Sequence, residues 1–196
     1  MPELSPALFL DRDGVINVNF GYVVRPEQTV FVKGIFELCG MAVTAGYRLI
    51  VVTNQAGIAR GYYTEDDFHA YMSWMRQAFD QHDVPLTEVY FCPHHPEGMV
   101  ERYRKVCECR KPAPGMILRA AAELNLELAA SILVGDKASD IAAGKAAGVD
   151  RCFRVDPVQS MADPQHVTFN PDVFAPVRKA LLADPGTLNR DQDPKD

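Results

Sequence analysis

Three short runs in this chain hold nothing but apolar residues: Ala7-Leu8-Phe9-Leu10, Leu49-Ile50-Val51-Val52 and Ile132-Leu133-Val134. A strand that is apolar at every position has both faces covered, and the helices that cross between parallel strands supply that cover. Longer stretches of helical pattern separate the runs, from Gly34 to Ala45 before Gly46, from Thr64 to about His82, from about Met116 to Leu124, and from Ser139 to Ala147 before Gly148. Thr64 with Asp67 three residues on resembles a capping box, and Ser139 is placed to cap the last of these helices. Glu88-Val89-Tyr90-Phe91 and Arg151 to Val155 complete five predicted strands. The alternation predicts an α/β fold, a doubly wound, Rossmann-like parallel sheet.

At 196 residues, 47% hydrophobic and 23% charged, the chain has the size and composition of one globular domain. That domain is expected over residues 1–183, followed by a loose polar tail at 184–196. Residues 157–182 predict a last strand or helix packed on the sheet, with no function attached. The net charge of −6 leaves no basic excess for a phosphate backbone, so a nucleic-acid partner is not expected. No apolar run approaches about 18 residues, and Met1-Pro2-Glu3-Leu4 carries no export signal. The expectation is a cytoplasmic protein with no membrane partner, and the lack of heptads makes a monomer the default.

The first apolar run is followed at once by Asp11-Arg12-Asp13-Gly14. Two carboxylates two residues apart then leave the carboxyl edge of a buried strand, where open α/β sheets bind ligands. Phosphoryl transfer explains that spacing: one carboxylate attacks phosphorus in line, and the other hands a proton to the departing alkoxide. A carboxylate approaching a phosphate dianion meets repulsion, which a hard divalent cation such as Mg²⁺ relieves.

Residues 92 to 114 break the periodic pattern. Cys92-Pro93-His94-His95 and Cys107-Glu108-Cys109 bracket this long loop, and in a chain without a secretory signal such clustering favours a metal over disulfides. Two close pairs of soft or borderline donors suit a tetrahedral Cys₃His zinc site, with His94 and His95 as competing ligands. Four protein donors leave no open position, so the zinc is expected to be structural. Cys39 and Cys152 read as small buried hydrophobes.

Taken in order, Asp11-x-Asp13-Gly14-Val15, Val51-Val52-Thr53-Asn54-Gln55, Arg110-Lys111-Pro112 and Leu133-Val134-Gly135-Asp136-Lys137, with Asp140 following, resemble the four motifs of the haloacid dehalogenase (HAD) superfamily of phosphatases. The likeness spans roughly residues 7 to 155. It implies the HAD fold with a minimal cap, since no insertion between the motifs is large enough for a cap domain. It further implies that Asp11 is the nucleophile and Asp13 the general acid, later the base for water. Thr53 would donate to a phosphoryl oxygen with Asn54 behind it, and Lys111 would neutralise charge shared by Asp11 and the phosphoryl group. Mg²⁺ ligands would be the Asp11 carboxylate, the Asp13 backbone carbonyl and Asp136, and Asp140 would orient Lys111, Lys137 or the metal's surroundings. Asn54, Gln55, Arg110 and Lys137 are the implied substrate contacts, and the resemblance selects His94 beside Cys92, Cys107 and Cys109 for zinc.

Two branches of that superfamily share these motifs: histidinol-phosphate phosphatases and heptose 1,7-bisphosphate 7-phosphatases. The longer zinc loop here is similar to the second. Arg102, Arg104, Lys105 and Arg110 supply cations that suit a sugar bisphosphate keeping its C1 phosphate and would repel an imidazolium substrate. Arg110 is the expected contact to that phosphate. The resemblance places such an enzyme in nucleotide-activated heptose and lipopolysaccharide biosynthesis. An inactive, zinc-stabilised binding module is the reading from a different class, and the joint presence of Asp11, Asp13, Thr53, Lys111 and Asp136 argues against it.

Overall fold

A computed structural model of the chain describes residues 4–183, so the expected tail lies outside the described residues. Five parallel strands form one sheet: β1 (Ala7–Leu10), β2 (Arg48–Asn54), β3 (Glu88–Cys92), β4 (Ile132–Gly135) and β5 (Arg151–Arg154), in the order β3-β2-β1-β4-β5. Alternate residues of each strand enter opposite layers. Leu8, Leu10, Leu49, Val51, Ile132 and Val134 pack with helices α1 (Ile35–Thr44) and α3 (Glu65–Asp80). Ala7, Phe9, Ile50, Val52 and Leu133 pack on the other face with α4 (Gly115–Leu124) and α5 (Ala138–Ala147). The unbroken apolar runs are therefore the strands buried on both faces, as the pattern predicts.

The strand order reverses between β1 and β4, and ligands bind outside the carboxyl ends of strands at such a point. Asp11 follows β1 and Asp136 follows β4, so the reversal sets two of the motif carboxylates side by side.

The expected capping box opens α3: Thr64 Oγ1 accepts from the Asp67 N–H at 3.1 Å, and Asp67 accepts from the Thr64 N–H at 2.8 Å. Ser139 does not cap α5. Lys137 is the flanking residue, and its N–H donates to Asp140 at 2.9 Å, so the carboxylate in the first turn does the work expected of the hydroxyl. A short helix, α2 (Ala56–Ala59), directly follows β2; four residues are too few to show a period.

Residues 157–182 depart from a single strand or helix on the sheet. They form an antiparallel hairpin, β6 (Val158–Asp163) with β7 (His166–Phe169), separate from the main sheet, and then α6 (Ala175–Leu182). Phe174, Val177 and Leu181 join the α1 side of the core, and Arg178 pairs with Glu37 of α1 at 3.2 Å.

Candidate active site

The four motifs meet at a cleft of about 640 Å³ at the carboxyl edge of the sheet. Its wall includes Asp11, Asp13, Asn54, Gln55, Arg110, Lys111, Lys137 and Asp140, together with Asn19, Tyr22, Arg60 and His95.

Lys111 is the charge around which the carboxylates are arranged. It is 4% exposed, and its Nζ lies 2.8 Å from Asp11 Oδ1, 2.7 Å from Asp140 Oδ1 and 2.7 Å from the Val52 carbonyl. Burial alone would discharge the amine, and the two carboxylates more than offset it, holding Lys111 above its ordinary value. Asp140 therefore orients Lys111 through its side chain and Lys137 through that backbone N–H.

Asp136 stands differently. Among the described residues its buried Oδ1 has no hydrogen-bond partner, and its only ion pair is a 3.6 Å contact from exposed Lys137. Burial, and then the charge of Asp11, push Asp136 up to about 7. It also lies so close to the chain after β1 that a Cβ on Gly14, at φ 94°, would fall 2.4 Å from its Oδ2. Ligand oxygens of Asp11, Asp136 and Asp140 lie within 4.8 Å of one another. Crowded carboxylates, one with an orphaned oxygen, are a donor set suited to a hard divalent cation, which reverses the repulsion that raises Asp136.

Thr53 is 1% exposed and its Oγ1 accepts from Gln55 Nε2 at 2.8 Å. Asn54 is held on the backbone of Lys111: its Nδ2 donates to the Lys111 carbonyl at 3.0 Å, and its Oδ1 accepts the Lys111 N–H at 3.1 Å. Gln55 has both ends of its amide engaged, since Nε2 also lies 3.3 Å from Asp13 Oδ2 and Oε1 accepts from the Tyr63 hydroxyl at 2.6 Å. The amides of Asn54 and Gln55 thus act on neighbouring site residues.

Of Arg102, Arg104, Lys105 and Arg110, only Arg110 lines the cleft, with Nη1 donating to the His94 carbonyl at 3.1 Å. Arg104 is turned onto the carbonyls of Gly98 and Met99, and the guanidinium of Arg102 lies 4.6 Å from the Tyr103 ring centroid. Arg60, from the turn after α2, is a further cation on the cleft wall beside Lys111 and Lys137. Burial, followed by the charges of Arg110 and Arg60, lowers His95 below the usual histidine range.

Behind this wall Cys92, His94, Cys107 and Cys109 converge. The sulfur separations are 3.1 to 3.5 Å, and His94 Nδ1 lies 3.3 Å from Cys109 Sγ. These S···S distances exceed the roughly 2.05 Å of a disulfide, and three thiols and an imidazole about one point form a tetrahedral metal donor set. His95 is not part of it; its Nδ1 accepts the Glu97 N–H at 3.1 Å. Cys39 is buried, and its thiol is pushed up to about 12 by burial alone, as expected of a small hydrophobe.

A family model described as HAD-hydrolase-like matches residues 108–177. Over 143 residues the chain is 58% identical to the D-glycero-alpha-D-manno-heptose-1,7-bisphosphate 7-phosphatase of Burkholderia mallei, covering 73% of this chain and 76% of that one. The chain belongs to this heptose bisphosphatase family of HAD-like hydrolases. The Escherichia coli K12 family member, named for the beta anomer, is 48% identical over 149 residues, covering 76% of this chain and 78% of its own. A crystal structure of D,D-heptose 1,7-bisphosphate phosphatase from B. bronchiseptica, complexed with magnesium and phosphate, superposes with a TM-score of 0.65 at 30% identity, covering 73% of this chain and 76% of that one. Membership makes the chain a phosphoric monoester hydrolase, and Mg²⁺ is the metal that HAD phosphatases use. Among the described residues no helix is long and apolar enough to cross a membrane.

Proposed function

We propose that this chain removes the C7 phosphate of D-glycero-D-manno-heptose 1,7-bisphosphate and leaves the 1-phosphate. The observation that carries the reading is the cleft itself, where Asp11, Asp13 and Lys111 share one wall with Arg110. Asp11 attacks phosphorus, forming an aspartyl-phosphate as the bond to the C7 oxygen breaks, and Asp13 gives that oxygen its proton. Asp13 then takes a proton from water attacking the phosphoryl group, which releases phosphate and restores Asp11. Lys111 offsets the charge shared by Asp11 and the phosphoryl oxygens, and the Thr53 hydroxyl donates to one of them. Arg110 takes the retained C1 phosphate, and Lys137 reaches the phosphoryl end.

Asp11, the Asp13 backbone carbonyl and Asp136 would hold Mg²⁺, which when bound withdraws charge from the phosphoryl group. Cys92, His94, Cys107 and Cys109 would hold a structural Zn²⁺, which ties the chain just ahead of Arg110 and Lys111. The protein is a monomer in the cytoplasm on this reading. The α anomer is the better substrate, because the relative named for it shares 58% identity and the E. coli one named for the β anomer 48%.

Phosphate release with Mg²⁺ from both anomers, histidinol phosphate and simple sugar monophosphates tests this. A preference in kcat/KM for the bisphosphate of about 10²-fold, some 3 kcal/mol of differential transition-state binding, is expected. Preference for histidinol phosphate would overturn the substrate assignment. The Asp11→Asn variant should lose turnover while keeping its fold and zinc content, and retained activity would overturn the nucleophile.

A further inference from the structure

Arg12, between the two carboxylates, is a wholly buried side chain. A single nitrogen, Nη2, donates to Asp13 Oδ1 at 2.9 Å, to Asp13 Oδ2 at 2.7 Å and to the Val23 carbonyl at 2.6 Å. The guanidinium carbon lies 5.0 Å from the Tyr71 ring centroid and 5.8 Å from that of Phe68, both on α3. Among the described residues its Nε and Nη1 have no hydrogen-bond partner. Burying a guanidinium with two of its three nitrogens unsatisfied is costly, and an apolar side chain of similar volume would fill the space at lower cost. Stability alone does not explain the residue. What Arg12 does accomplish is a junction: Val23 belongs to the segment after Asp13 that contributes Asn19, Gly21 and Tyr22 to the cleft wall. Asn17 and Gln55 also reach Asp13, at 3.1 and 3.3 Å, but both are neutral and their contacts are longer.

We propose that Arg12 is a positioning residue that locks the Asp13 carboxylate to the 19–23 segment, so that the proton donor and the wall facing the leaving group keep one relative placement. The proposal rests on the reading of Asp13 as general acid. A group that only serves proton donation matters when the leaving group is a basic alkoxide and matters little when it is a stable phenolate. Loss of fold, by contrast, weakens both reactions alike.

The test compares Arg12→Met, Arg12→Lys and Asp13→Asn on heptose bisphosphate and on p-nitrophenyl phosphate with Mg²⁺, reading kcat/KM, which reports phosphoryl transfer to Asp11 and not the later hydrolysis. Arg12→Met should lose about 10²-fold on the sugar and under about 3-fold on the phenyl ester, given that general acid catalysis contributes roughly 10²- to 10⁴-fold. Arg12→Lys, which keeps the charge and one donor, should fall between Arg12→Met and the unmodified chain. Equal losses on the two substrates would overturn the proposal. Asp13→Asn separates the premises: if it discriminates and Arg12→Met does not, Arg12 is not the positioning group; if Asp13→Asn does not discriminate either, the general-acid reading has failed. Melting temperature and zinc content establish folding. If Arg12→Met does not fold, the lysine variant decides, a reduced sugar-to-phenyl ratio supporting the proposal and an unchanged one overturning it.

Discussion

Replacing Lys111 by Met removes the one cation that lies between Asp11 and Asp140, which are 5% and 2% exposed. The variant keeps those two carboxylates, with Asp136 close by, in a space where their ligand oxygens lie within 4.8 Å of one another. Removing one partner of a buried ion pair costs about 3–5 kcal/mol, because the remaining charge is left desolvated. For a domain of this size that corresponds to a fall in melting temperature of roughly 6–20 °C, at about 2–4 °C per kcal/mol. The measurement is thermal unfolding of Lys111→Met and the unmodified chain in a chelator, then with excess Mg²⁺, which should return part of the loss by neutralising the same carboxylates. The sign with pH follows first from the lysine itself. Its folded value lies above the ordinary 10.5, so its contribution is present throughout the neutral range and is lost only as pH rises beyond that value. The lysine's own share of the stability gap is therefore constant from pH 7 to 9, whereas Asp136, which Lys111 holds down, rises further in the variant and should make the gap widen as pH rises through neutrality. A variant within about 1 kcal/mol of the unmodified chain in chelator, well short of the cost of breaking a buried pair, would refute the view that Lys111 is what allows these carboxylates to be buried together.

If the four donors hold zinc, treatment with a strong chelator followed by excess Mg²⁺ should leave phosphate release abolished while the far-ultraviolet signal of the sheet persists, since His94, Cys107 and Cys109 lie outside the five strands and Cys109 directly precedes Arg110 and Lys111. Full activity after the metal has been removed to trace levels would dissociate the loop from the site. Tyr63→Phe should cost about 1–3 kcal/mol in chemical denaturation, the penalty for leaving a buried acceptor unsatisfied, because Gln55 Oε1 loses its 2.6 Å donor. No change in the midpoint would mean that water replaces the hydroxyl there.

Fold class was legible because its signal is local and repeated. Leu8, Leu10, Leu49, Val51, Ile132 and Val134 face one layer while Ala7, Phe9, Ile50, Val52 and Leu133 face the other, and nothing but a sheet covered on both sides makes all eleven apolar. The strand order was not written in any one segment, yet it is the order that brings Asp11 and Asp136 together. Residues 157–182 were the illegible part. A hairpin that pairs only with itself needs no continuous apolar run, and β7 alternates between exposed and half-buried positions, a weaker pattern than that of the core strands.

At the site, legibility divides between residue type and side-chain direction. Asp11, Lys111 and the group Cys92, His94, Cys107 and Cys109 stand out by type and order, and the structure sets Lys111 against Asp11 and brings the other four together. Which way a long side chain turns is decided by partners remote in sequence. Arg102, Arg104 and Arg110 are equally basic in the sequence, but Gly98, Met99 and the Tyr103 ring take up two of them, and only Arg110 faces the cleft. The same reasoning explains Gln55 and Arg12. Their types suggest contact with substrate or solvent, whereas Tyr63 at one end of Gln55, and Val23 beside Asp13 at Arg12, turn both into supports. These supports come from α3, from the turn before it and from the chain after β1, so the placement of Asp13 depends on packing in the α1–α3 layer as well as on the strand that carries it. A core change there, at Phe68 for instance, should reach Asp13 through Arg12, whereas an equally buried change at Ile117, in the opposite layer, has no comparable route.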